Sequence, residues 1–229
     1  RMVRVTRQSL FDEHKALMGS VVTISDISDT VELKQQFPHQ AHHDSLTMLP
    51  NRTLLLAKLD QTVESAQQAA AIFAVFNIVI DEFKKINDAL GHRAGDSLLK
   101  LVTQRMQAII GEQNVIARWS GDEFMALFAS TQAALHLAPK VGQDILDSIS
   151  HRFGLDGQEI FLTASIGIGF YPQDGQTSES VLSHAASAMG LAKQHGGNQF
   201  SFYLPDKVTD WTKDKLALEK DFRLALKNN

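Results

Sequence analysis

Cysteine is missing altogether from the 229 residues. That excludes disulfide staples, a thiolate nucleophile and cysteine-ligated zinc, and it fits a reducing, cytoplasmic setting. No apolar run approaches the roughly 20 residues of a membrane span, and no signal-peptide pattern is visible. A surplus of positive charge is also lacking, since 22 Lys and Arg stand against 26 Asp and Glu, a net charge of −4. That balance draws neither nucleic acid nor an anionic membrane, so a polyanionic ligand needs local lysines or a metal. There is no Gly-x-x-x-x-Gly-Lys-Ser/Thr phosphate loop. What remains is ordinary globular composition, 44% hydrophobic and 21% charged, enough to bury a sizeable core.

Residues 1–28 read as two strands around the polar turn "DEHKAL", with Val3 and Val5 alternating on one and Val21, Val22 and Ile24 on the other. Two strands alone are marginally stable, so this piece is expected to pack on something else or to be a remnant of a longer polypeptide. Residues 29–43 follow as a linker, with Val31, Leu33 and Phe37 marking a short helix that Pro38 interrupts. The main domain is expected over 44–204. Its first helix places Leu56, Leu59, Val63 and Ala66 on one face. The run "AIFAVFNIVI" (71–80) is apolar and β-branched enough for a central buried strand. "DEFKKINDALGH" forms a short helix ended by Gly91. A longer one follows with Leu98, Leu99, Val102, Met106 and Ile109 inward and Gly111 as its stop. A hairpin, a helix over roughly 131–149, a strand around 160–170, a helix over 178–194 and a last strand "QFSFYL" complete the pattern. The hairpin makes part of the sheet antiparallel, so the class is α+β, a central sheet with helices packed on it.

The hairpin is "RWSGDEFMALF" (118–128), and its tip sets Asp122 beside Glu123. Held on a turn, one carboxylate can bind a cation while the other joins in proton transfer. Oxygen donors of this kind suit Mg²⁺, which is usually held by one or two carboxylates plus substrate phosphates. A solvated acidic turn is the plain alternative. Lys84, Asn87 and Asp96 lie in the helix–loop–helix after the central strand. Asn and Asp together supply donors and acceptors for a purine edge, and Lys84 and Lys193 can neutralise phosphates. His39, His42 and His43 have spacings a metal could use, but a linker makes a poor cage.

Five stretches in order, "HDSLTMLPNR" (43–52), "FKKINDALGHRAGD" (83–96), "RWSGDEF", "ASIGIGFYP" (164–172) and "AMGLAKQHGGN" (188–198), closely resemble the bacterial GGDEF domain of diguanylate cyclases. The resemblance spans roughly residues 42–204. It implies a cyclase- or palm-like, mostly antiparallel sheet flanked by helices, and condensation of two GTP into cyclic di-GMP across a homodimer with Mg²⁺. It implies that Asn87 and Asp96 bind guanine, with Phe83, Lys84, Gly121 and Lys193 also in the substrate site. Asp122 and the carbonyl of Ile80 would ligate the metal, and Glu123 would help activate the attacking 3′-hydroxyl. Residues 1–28 look like the terminal strands of a PAS sensor domain. Residues 205–229 look like a linker helix toward an EAL phosphodiesterase domain.

Several positions depart from the family pattern. Family members read Asp-x-Asp-x-Phe-Lys at the end of the first strand, and here the stretch is "VIDEFK", which puts Val79 at a metal-ligand position. Asn77 and Asp81 share its strand face but lie roughly 6.5–7 Å away along the strand. A Mg²⁺–oxygen bond of about 2.0–2.1 Å leaves neither able to take its place. Ser120 replaces the first signature glycine, Gly197 an expected phosphate-binding arginine, and Met48 another glycine. The Arg-x-x-Asp of the product-inhibition site falls at Gly111 and Asn114. These departures favour a degenerate GGDEF domain, catalytically weak or inactive and regulatory through GTP. Intact Asp122 and Glu123 favour an active diguanylate cyclase instead, and a dimerisation spacer that binds no nucleotide is the third reading.

Overall fold

The computed structural model describes residues 3–11, 17–26, 41–128 and 134–205, together with positions 217, 218, 220, 221 and 224. The chain divides into two compact units, Arg1–His42 and His43–Asn229. The helix expected in the linker, His39 and most of the tail helix lie outside the described residues. In the first unit β1 (Val3–Phe11) pairs antiparallel with β2 (Leu17–Asp26), setting Val5 opposite Ile24 and leaving both exposed.

The second unit is built on β3 (Phe73–Ile80), whose eight residues are all buried. Its alternate side chains serve two cores. Phe76, Ile78 and Ile80 join one, while Phe73 and Val75 join the other. The five-stranded sheet runs β4 (Val115–Ser120), β5 (Glu123–Phe128), β3, β8 (Ala164–Tyr171), β9 (Gln199–Phe202). All pairs are antiparallel except β8 with β9. One face is covered by α3 (His92–Ile110) and α4 (Ala134–Ser150), the other by α1 (Arg52–Ala69) and α5 (Ser178–Gln194). The short α2 (Phe83–Leu90) follows β3 after a two-residue turn. This is the α+β arrangement expected from the hairpin and the alternation, and its mostly antiparallel sheet flanked by helices is the cyclase-like one that the resemblance implies.

Three local expectations need correction. The inner stripe of α1 is Leu55, Leu59, Val63 and Ala66, with Leu56 half-buried at its edge. Spacings of 3 and 4 are both helical, so periodicity alone did not choose between Leu55 and Leu56. For the same reason α3 buries Ile110 more fully than Ile109. The strand expected around 160–170 is two elements. Ile160 ends β7 (Gln158–Ile160), which forms a separate hairpin with β6 (Phe153–Leu155), and β8 starts only at Ala164. Phe161 lies between them with 67% of its surface exposed, an apolar residue that pattern reading assigns to a strand.

The placement of α5 follows from glycine. A Cβ on Gly167 of β8 would lie 2.0 Å from the Ala185 carbonyl oxygen and 2.1 Å from the Met189 nitrogen. The helix therefore rests directly on the strand backbone, with Ala185, Ala188 and Ala192 supplying small contact residues. Thr177 caps its N-terminus with Ser180 in a reciprocal pair. Lys193 is thereby carried to the end of the sheet where β3 finishes. At the far side, the Arg105 guanidinium gathers the carbonyls of Ser148, His151 and Arg152 and lies 3.7 Å over the Phe153 ring, closing the end of α4.

Candidate functional site

The end of β3 and the β4–β5 turn are stitched together. The Ile80 N–H donates to the Asp122 carbonyl at 3.2 Å, so the strand end carrying the Ile80 carbonyl adjoins the signature turn. Gly121 supplies the tip at φ +49°, a left-handed conformation that a side chain would strain. Glu82, at φ +53°, bends the chain into α2 in the same disfavoured region, so strain is concentrated beside the turn. Met48 has φ +60° with an exposed side chain. That conformation explains why the related motif has glycine there, a consequence not readable from sequence.

Val79 faces Glu123 on β5 and Ser165 on β8, and only 6% of its surface is exposed. The carboxylates around it are engaged elsewhere. Glu123 accepts from Asn77 Nδ2 at 2.9 Å and from Ser120 Oγ at 3.3 Å. Asp81 accepts from Thr163 Oγ1 at 2.8 Å, Ser165 Oγ at 2.7 Å and the Asn198 N–H at 3.0 Å. It is a brace between three segments. Gly197, at φ +70°, lets the turn after α5 close over Asp81, and a Cβ there would come within 3.0 Å of Asp81 Oδ2. Asp122 is half-buried at the tip.

The other expected residues form a second group. Phe83 is buried, and Asn87 is packed so closely on α3 that a Cβ on Gly95 would lie 2.0 Å from Asn87 Oδ1. Asp96 follows and is exposed, as are Lys84 and Lys193. Lys193 lines a cleft of about 810 Å³ together with Asp81, Glu82, Lys85, Phe161 and Gly197, and Asn87 and Asp96 are not among its walls. The structure thus brings Ile80, Asp122 and Glu123 together at the sheet end and sets Phe83, Asn87 and Asp96 at the α2–α3 corner. Gly111 and Asn114 serve to end α3, since Asn114 Nδ2 donates to the Ile110 carbonyl at 2.8 Å.

Sequence reasoning missed the anchor of the turn. Arg118 Nε donates to the Gly121 carbonyl at 2.8 Å, while its Nη1 reaches both Asp44 oxygens at 3.0 and 3.2 Å. Asp44 also accepts from the Thr47 N–H and hydroxyl. The signal was present, because Asp44 and Arg118 both lie in recognised motifs, but their contact spans 74 residues. Burial pushes the Asp44 carboxyl up, yet the Thr47 hydrogen bonds and the Arg118 hydrogen bond and charge outweigh it. They hold the group below its ordinary value of 3.8. A lowered folded value contributes stability above the unfolded value that is lost as pH falls through the folded one. Asp44→Asn is therefore expected to lose about 1–2 kcal/mol near neutrality. Denaturant unfolding should show the gap to the parent chain closing below pH 3.8.

The donor set lacks the carboxylate that the family pattern has at position 79, while Asp122 and the Ile80 carbonyl remain side by side at the tip. Val79 offers no oxygen, Glu123 and Asp81 are bonded to protein donors, and among the described residues no three His, Cys, Asp or Glu side chains are placed to hold a metal. His43 instead bonds the Met48 carbonyl through Nδ1 at 3.0 Å. No described helix is long and apolar enough to cross a membrane.

A five-stranded sheet with an acidic hairpin tip at the end of its central strand defines a cyclase-like α+β domain. Residues 41–199 match the family described as diguanylate cyclase, GGDEF domain, and the chain belongs to it. It is 35% identical over 189 residues to the cyclic di-GMP phosphodiesterase NbdA of Pseudomonas aeruginosa, covering 82% of this chain and 24% of that protein. It is 38% identical over 186 residues to the bifunctional diguanylate cyclase/cyclic di-GMP phosphodiesterase MucR of the same organism, covering 81% and 27%. The chain thus spans about a quarter of these relatives. Among solved structures, the GGDEF domain of TpbB (YfiN) from Pseudomonas aeruginosa superposes with a TM-score of 0.67 at 32% identity, covering 70% of this chain and 99% of that one.

Proposed function

We propose that this chain is a regulatory GGDEF module of a cyclic di-GMP signalling protein, binding GTP but making little or no cyclic di-GMP. The observation that carries the reading is Val79 facing Glu123 at the position where the family pattern has a carboxylate. Phosphoryl transfer depends on positioning and on neutralising charge. Loss of one preorganised electrostatic group commonly lowers the rate by about 10²–10³-fold. Here the carboxylate at position 79 and the arginine at position 197 are both replaced. The residues that the resemblance assigns to the base, Asn87 and Asp96, are present, with Asn87 lodged against Gly95, and Lys193, assigned to phosphate, lines the cleft beside Asp81.

In the parent protein the module would sit between a PAS-like sensor, represented by residues 1–28, and an EAL-like domain after 205–229, and would work as a homodimer. Calorimetry with GTP at millimolar Mg²⁺ is expected to show binding that Asn87→Ala weakens at least tenfold, a difference of about 1.4 kcal/mol. Chromatography of the same mixture should show no cyclic di-GMP. Absence of GTP binding would favour the spacer reading. Product formation abolished by Glu123→Ala would establish an active diguanylate cyclase, the reading that the intact tip, Asp122 beside Glu123, favours.

A further inference from the structure

Asn77 is chemically out of place. It lies on β3 on the same face as Phe73, Val75 and Val79, opposite Met125 of β5 and Gly167 of β8, and its side chain is fully buried. Its neighbours along β3 on that layer are apolar, the buried polar groups beside them being Ser165, which bonds Asp81, and Ser201, and α5 presses onto the layer at Gly167. The amide makes one hydrogen bond, from Nδ2 to Glu123 Oε1, and its Oδ1 has no partner. Chemistry dictates this orientation, since the reversed amide would set two acceptors face to face. A buried acceptor left unpaired destabilises the fold, so Asn77 contributes something other than packing.

What it contributes is charge relief for Glu123. With Ser120 Oγ on Oε2, the glutamate is held at both oxygens, directly across from Val79. In a site with carboxylates on two adjacent strands, a divalent cation would cancel their charge and hold the hairpin in place. Here one carboxylate is a valine and the other is met by N–H and O–H donors.

We propose that Asn77 is a positioning residue that stands in for such a cation: its amide fixes Glu123, and with it the signature hairpin, on the central strand without a divalent ion. The inference concerns the site of the function proposed above, but its test needs no nucleotide. Failure of GTP binding and failure of this pairing are therefore separate results.

The test is thermal unfolding of the 229-residue chain without nucleotide, in EDTA and in millimolar Mg²⁺. The parent chain is expected to have the same Tm in both. Asn77→Asp sets carboxylate against carboxylate and is expected to lose roughly 5 °C or more in EDTA, most of it regained in Mg²⁺ held at the Asn77–Glu123 contact itself, away from the family's ion position beside residue 79. Asn77→Asp combined with Glu123→Gln exchanges the roles of amide and acid. That double variant should return to within about 2 °C of the parent and ignore Mg²⁺. Should Asn77→Asp fail to fold, the double variant decides alone: folding supports the pairing and failure overturns it. A Mg²⁺ response in the parent as large as in Asn77→Asp, an Asn77→Asp chain as stable as the parent in EDTA, or a double variant no better than Asn77→Asp would each overturn it.

Discussion

Val79→Asp is expected to make the stability of the signature turn depend on Mg²⁺. The residue is buried and directly opposite Glu123, so in EDTA the new carboxylate meets a like charge across the strand pair. An unpaired charge buried at that point is expected to destabilise the chain by about 3 kcal/mol or more. With Mg²⁺ the loss should largely disappear, because the introduced carboxylate would add an oxygen to the tip where the Ile80 N–H already meets the Asp122 carbonyl. GTP affinity should then rise at least tenfold on adding Mg²⁺, about 1.4 kcal/mol. Scanning calorimetry and isothermal titration with and without EDTA read both effects. A variant whose Tm ignores Mg²⁺ would show that position 79 does not look into the signature turn.

Gly167→Ala is expected to be the most damaging single methyl that can be added near the site. The two nearest atoms, the Ala185 carbonyl oxygen and the Met189 nitrogen, are backbone atoms of one helix, so no side chain can swing away. Either α5 lifts or β8 bends. Overpacking of this kind costs about 3 kcal/mol, the upper end of its usual range. Because α5 ends at Gln194, one residue beyond Lys193, lifting it also displaces that lysine from Gly197 and Asp81 along the cleft. Urea unfolding should show the loss of stability. Gly169→Ala, whose Cβ would sit 3.2 Å from the Val181 carbonyl oxygen, should be clearly milder.

The sequence was most legible where structure is local or a face is uniformly apolar. The run ending at Ile80 is a buried strand, Gly91 and Gly111 close their helices, and the hairpin around Gly121 forms as its glycine and flanking apolar residues indicate. The segment around Phe161 was misread, because hydrophobicity says that a residue favours burial and not whether another chain segment arrives to cover it. The site was half legible. Motif order singled out Asp122, Glu123, Asn87 and Asp96 as candidates, and anchoring the motif on Phe83 and Lys84 made Val79 the departure. The pairing of Asn77 with Glu123 spans 46 residues, and that of Asp81 with Ser165 spans 84. Such contacts depend on strand register, which periodicity of two leaves open by whole steps. A buried asparagine in an apolar strand was the available clue, and its meaning required the partner strand.

Arg118 grips the chain just after His43 with one end and the carbonyl of Gly121 with the other. Asp44 lies next to the boundary at which the chain divides, so the tip is tethered to the very point where the domain is entered. Taking that guanidinium away, as in Arg118→Ala, is therefore expected to loosen the entry segment at Asp44 and the Gly121 turn together.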